Sequence, residues 1–163
     1  MILYHGSNLI VDFPKLINQQ RGLDFGAGFY LTTDEEQAVQ FSRVVVKRNR
    51  SGISTVNVYE FEIVNAKSSL NVMEFRSADA EWLNFVTENR MKTYSGVVHD
   101  VVIGAVANDK VMPTLQAYLC GFLTKEATLL TLKTSKLTDQ VCIKSEQALA
   151  LLKYISSYNV GGA

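Results

Sequence analysis

The chain has 163 residues, 47% of them hydrophobic, which supports one domain with its own core and argues against disorder. Sixteen basic residues balance sixteen acidic ones, so no net field draws it toward nucleic acid or an anionic membrane. No run approaches the roughly 18 apolar residues of a membrane span, and Met1 leads into a strand-like run without a charged leader. Cys120 and Cys142 lack metal-ligand spacing and read as two reduced, buried thiols of a cytoplasmic protein, so no metal is expected.

Ile2 to His5 reads as a short strand, with Ile2 and Tyr4 on one face and Leu3 and His5 on the other. Gly6 follows, whose bare backbone something can approach closely, and then Ser7. Residues 8 to 23, Pro14 included, have no clean period. Arg21, near the end of that excursion, is either a solvated loop charge or a phosphate contact. Asp24-Phe25-Gly26-Ala27-Gly28-Phe29-Tyr30-Leu31 is a two-glycine turn that leads into an aromatic. Thr33 and Glu36 form a capping-box pattern that predicts a helix from about Asp34, with Ala38, Phe41, Val44 and Val45 on one face. Lys47, Arg48 and Arg50 complement the dipole of its last turn, and Ser51-Gly52 ends it.

Thr55 to Val64 alternates as an edge-like strand, and Leu70 to Phe75 reads as another. Ala78 to Lys92 is predicted helical, with Trp82, Phe85 and Val86 on related faces. Val97 to Val106 is β-branched and nearly all apolar, as a strand buried on both sides would be, with His99 and Asp100 adjacent and able to pair. Asn108-Asp109 reads as a turn. A helix follows with Pro113 near its first turn and Leu115, Tyr118, Leu119 and Phe122 inward, then a further helix over 125–133. Asp139 to Lys144 is a short strand, and Glu146 to Tyr154 a closing helix that carries Leu149, Leu152 and Ile155. The expected core spans residues 2–155, and 156–163 form a flexible tail.

Tyr4-His5-Gly6-Ser7, Gly28-Phe29-Tyr30-Leu31 and Gln140-Val141-Cys142-Ile143 occur in an order and spacing that resemble a known signature. It is that of the diphtheria-toxin/poly-ADP-ribose-polymerase branch of the ADP-ribosyltransferases. With Glu81 to Val86 and Ile103 to Asp109, the chain also looks like a bacterial family of formerly unknown function grouped with these enzymes. Some of its members are encoded beside small antitoxin-like partners. The resemblance implies an α+β fold, with split antiparallel sheets around an NAD cleft and flanking helices. It also implies an NAD-dependent mono-ADP-ribosyltransferase that acts on a macromolecular acceptor, as a toxin-like cytoplasmic effector with an antitoxin partner.

Roles follow from the same resemblance. His5 would hydrogen-bond the adenosine ribose, or else be a buried, satisfied histidine. Gly6 would pair its backbone with the nicotinamide amide, and Ser7 would support the ribose or cap the next turn. Tyr30 would stack on the nicotinamide ring after the Gly28 turn, and Phe41 would close the sandwich or pack in the core. Asn108 would shape the acceptor side or serve as plain turn chemistry. Gln140 stands where the family pattern has a glutamate. A glutamine amide can hold the ribose 2′-hydroxyl but cannot offset a developing positive charge, which favours a single transfer over chain elongation. On that reading Gln140→Glu retains or raises NAD cleavage. The alternatives are a catalytically silent module that binds NAD or ADP-ribose and works through a protein partner, and an NAD glycohydrolase.

Overall fold

The computed structural model describes residues 1–16, 22–107, 111–133 and 137–161. Among these residues, seven strands and six helices follow in the order β1 (Ile2–Ser7), β2 (Phe29–Thr32), α1 (Glu35–Asn49), β3 (Thr55–Phe61), α2 (Ile63–Ser69), β4 (Val72–Glu74), α3 (Ala80–Met91), β5 (Val101–Ala105), α4 (Met112–Leu119), α5 (Lys125–Lys133), β6 (Asp139–Ile143), α6 (Glu146–Leu149) and β7 (Leu152–Asn159). The strands make one open mixed sheet in the order β4-β5-β6-β2-β1-β3-β7, with only the β4–β5 pair parallel. The class is α+β, as expected, but the described strands form one sheet where two were predicted.

The sheet nevertheless has a weak seam. β1 follows β3 over six residue pairs, from Ile2 opposite Glu60 to Ser7 opposite Thr55. β2 follows β6 over four, from Phe29 opposite Ile143 to Thr32 opposite Gln140. Between these blocks, β1 and β2 pair only at Tyr4 and Thr32. The two blocks meet instead through side chains. Leu3, Tyr59 and Phe61 of one block share a buried cluster with Phe29, Leu31, Val101, Ile103, Val141 and Ile143 of the other. The opposite face of the second block carries Val102 and Cys142 against Phe25, Trp82, Leu83, Phe85, Val86, Leu115 and Leu132 from the helices and the turn before β2. β5 is therefore buried on both faces, as its unbroken apolar run predicts.

Several expectations shift. Asp34, not Thr33, caps α1, and its carboxylate accepts from the Gln37 N–H. Thr32 Oγ1 accepts from the Asp34 N–H and donates toward Gln37 and the Asp139 carbonyl, so a side chain from the strand completes the cap. Phe41 and Val44 are half-exposed rather than in the core; Ala38, Ser42 and Val45 make the buried stripe of α1. β5 starts at Val101, and Val97 and Val98 are exposed. His99 Nδ1 meets Asn71 Oδ1, and Asp100 accepts from the Asn71 N–H, so both bind Asn71 across the β4 edge. Phe122, expected to face inward, and Cys120, expected to be buried, are exposed, while Cys142 is buried.

The largest correction is at the end of the chain. The predicted closing helix is a single turn, α6, with the Ser145 hydroxyl accepting from the Ala148 N–H. Residues 152–159 then form β7 instead of a helix end and a flexible tail, and β7 pairs along the whole of β3. β3 is thus an inner strand, not an edge, and it stops at Phe61 where α2 takes over. An unpaired β3 would leave a row of backbone donors and acceptors open, and Tyr154-Ile155-Ser156-Ser157-Tyr158 is a sequence of poor helix formers.

Candidate functional site

Where β1 and β2 part, a cleft of about 660 Å³ opens, within the size range of small-molecule sites. His5, Gly6, Ser7, Gly28, Tyr30, Phe41 and Gln140 all line it, so seven of the nine residues singled out from the sequence meet in one place. The other two, Arg21 and Asn108, lie outside the described residues.

His5 stands on β1 with one ring face against Phe29, centroids 4.5 Å apart. Its Nδ1 lies 2.8 Å from the Tyr30 carbonyl oxygen, across the parted strands. A carbonyl only accepts, so Nδ1 carries the proton and Nε2 is left as an acceptor. Burial pushes the imidazole pKa down, and the hydrogen bond to Tyr30 offsets this only in part, which keeps the ring neutral. The sign gives a test. The unfolded chain takes up this proton near pH 6.5 while the folded one resists, so stability falls as pH drops below about 6.5. Melting curves across that range should show a shallower acid slope for His5→Gln than for the wild type.

Gly6 is fixed by its neighbours on both sides. Met1 and Phe61 exchange backbone hydrogen bonds at 3.0 and 2.8 Å, so the odd residues of β1 aim their backbone groups at β3. Gly6, an even residue, aims its N–H and carbonyl at the side where β2 has already diverged. A Cβ on Gly6 would come within 2.1 Å of the Ala38 carbonyl oxygen and 2.8 Å of the Ser42 nitrogen, both in α1. Helix packing by itself therefore demands this glycine.

A Cβ on Gly28 would likewise meet Cys142 Sγ at 2.5 Å, so that glycine lets the turn lie on β6. The turn is held from inside. The Tyr30 hydroxyl donates to the Gly26 carbonyl at 2.6 Å and accepts from the Phe25 N–H at 3.0 Å. Lys144 donates its ammonium to the Phe25 carbonyl and, at 3.1 Å, to the Ala27 carbonyl. Burial drives the Tyr30 pKa far up, so its phenol is no proton-transfer group; the residue lines the cleft and packs against the buried cluster that holds Phe25 and Cys142. Phe41 supplies a second aromatic from α1, half-exposed at the same cleft.

Gln140 is buried at the start of β6, and its Nε2 donates to Asp24 Oδ2 at 3.0 Å. Asp24 is the centre of a network that sequence reading did not assign. Its Oδ1 accepts from Arg90 Nε at 2.7 Å and pairs with Arg90 Nη2 at 2.5 Å, while Oδ2 also accepts from the Ala107 N–H at 3.1 Å. In the sequence, Asp24 opens the two-glycine turn, and Arg90 stands in the last turn of α3 with no motif around it. Only the meeting of these distant segments makes them a buried pair. Lys15 and Arg48, both exposed, line the cleft too, so among the described residues its charged side chains are three cations and one carboxylate. Asp139 is exposed on the other face of β6, and Glu146 lines a separate depression with Leu149 and Tyr154, so neither stands in for Gln140.

The fold and site define an α+β protein whose sheet parts over a cleft with fixed histidine, glycine-backbone, aromatic and amide groups. Residues 1–154 match the family model described as "Protein of unknown function (DUF3990)", and the chain belongs to that family. No curated protein and no solved structure matches it. Among the described residues, no helix is long and apolar enough to cross a membrane.

Proposed function

We propose that this protein is an NAD-dependent mono-ADP-ribosyltransferase working in the cleft between β1 and β2. The observation that carries the reading is the Nδ1 contact of His5 on the Tyr30 carbonyl at the point where the strands separate. It sets His5 Nε2 as an acceptor for a ribose hydroxyl, beside the outward backbone of Gly6 and the ring of Tyr30. An N–H and a carbonyl on one glycine can pair with both ends of a carboxamide, and two aromatic faces suit a flat pyridinium. Lys15 and Arg48 supply positive charge for a pyrophosphate, the role weighed earlier for Arg21. The parting of one sheet at a single pair fits the split-sheet fold that the family resemblance implies.

In the reaction, the bond between ribose C1′ and the nicotinamide nitrogen breaks, and nicotinamide leaves with the bonding pair. An acceptor nucleophile gives its pair to C1′ and loses its proton to solvent, so one NAD and one acceptor yield ADP-ribosyl-acceptor, nicotinamide and a proton. The resemblance further suggests a toxin-like cytoplasmic effector with a small antitoxin partner and a macromolecular acceptor. The experiment is to incubate the full chain with NAD and follow nicotinamide release. Label from NAD is then traced in cell lysate after protease or nuclease treatment. Label in neither fraction, with no nicotinamide released, overturns the reading. Release without label points to the glycohydrolase.

A second reading, a silent NAD-binding module, is favoured by one observation: a neutral amide stands at Gln140. It predicts NAD binding with no nicotinamide release. In calorimetry, Tyr30→Ala should weaken NAD binding by at least about 1 kcal/mol, the stacking contribution. Tyr30→Phe keeps the ring and loses the two turn hydrogen bonds, so it should bind NAD nearly as well and melt lower.

A further inference from the structure

We infer that Asp24 is a positioning residue for the transfer: it fixes the Gln140 amide and supplies, one hydrogen bond behind it, the negative charge that glutamine lacks. The inference rests on the proposed function. An ionised carboxylate can only accept, so the group facing Asp24 Oδ2 at 3.0 Å is the amide nitrogen, and Gln140 Oε1 is left as the acceptor end. Arg90 bonds Oδ1 alone, which leaves Oδ2 to the Ala107 N–H and Gln140. Both Asp24 and Gln140 are 6% exposed, and a charge-assisted hydrogen bond in such surroundings polarises the amide and loads negative charge onto Oε1. Among the described residues, Asp24 is the only carboxylate that lines the cleft.

A carboxylate at 140 has a different meaning beside Asp24 than in isolation. Two carboxylates 3 Å apart repel, or share a proton and stay neutral at one site. Gln140→Glu alone therefore gains nothing, whereas Asp24→Asn with Gln140→Glu keeps the cluster's net charge and moves it one group nearer the ribose.

The experiment measures kcat and KM for nicotinamide release, with melting temperatures, in the wild type, D24N, Q140E and the double variant. We expect D24N to lose kcat by about tenfold or more with little change in KM, because the polarised acceptor matters most as charge develops. Q140E should fall at or below wild type, and the double variant should exceed both single variants. That recovery separates positioning from damage to the fold, since the double variant carries the same loss of the Arg90 ion pair as D24N. D24N turning over like the wild type overturns this inference and leaves the proposed function standing. So does a double variant no better than D24N. A wild type that neither binds nor cleaves NAD overturns the proposed function, and this inference with it.

Discussion

Gln140→Ala is expected to lose nicotinamide release on the order of 10²-fold, the usual loss when a single preorganised polar group at a developing charge is removed. The same substitution takes one donor from a buried carboxylate, so stability should fall by about 1–3 kcal/mol. Asp24 keeps Arg90 and the Ala107 N–H, which holds the stability loss inside that range. Turnover and denaturation midpoint measured on one preparation separate the two effects. Unchanged turnover in Gln140→Ala would remove Gln140 from the proposed chemistry, and with it the late-strand part of the resemblance as a guide to this chain.

Arg90→Met should cost the fold most. It leaves the Asp24 carboxylate, with its side chain 7% exposed, without its cation, and breaking such a buried pair costs about 3–5 kcal/mol. Two hydrogen bonds to Asp24 remain, so the lower end is expected, a drop of roughly 6–12 °C in Tm for a chain of this size. Lys67→Met is the control. The Lys67–Glu74 pair is about half-exposed on both sides, and its loss should cost under about 1 kcal/mol. Adding Asp24→Asn to Arg90→Met should recover part of the loss, since the stranded charge goes with it. Equal costs for Arg90→Met and Lys67→Met would mean that the pair is solvated in solution.

Strong local signals made much of this legible in the sequence. The charged ends of α1 lie close to where they were expected, and the apolar run of β5 is buried on both faces. The motif residues on β1, the β2 turn and β6 do meet in one cleft. The failures are non-local. Leu149, Leu152 and Ile155 have helical spacing, and nothing in those residues announces that β3 needs a partner along its open side. Phe41 sits on an apolar stripe by counting, yet α1 presses so closely on Gly6 that Ala38 and Ser42 fill the contact and Phe41 is left to the cleft. Asp24 and Arg90 stand 66 residues apart, and neither has a sequence neighbour that marks it as half of a buried pair.

The contact between Gly6 and α1 bears on how relatives of this chain should be sorted. The helix would exclude any side chain there with or without a nucleotide in the cleft, so a descendant that had abandoned the chemistry would still keep the glycine. Its presence certifies inheritance of the scaffold and says nothing of turnover. Asp24, Arg90 and Gln140 are held by side-chain bonds to one another as well as by the Ala107 N–H, so they should be retained or lost as a set. A glutamate at 140 accompanied by a neutral residue at 24 would mark a lineage that had moved the charge from one partner to the other.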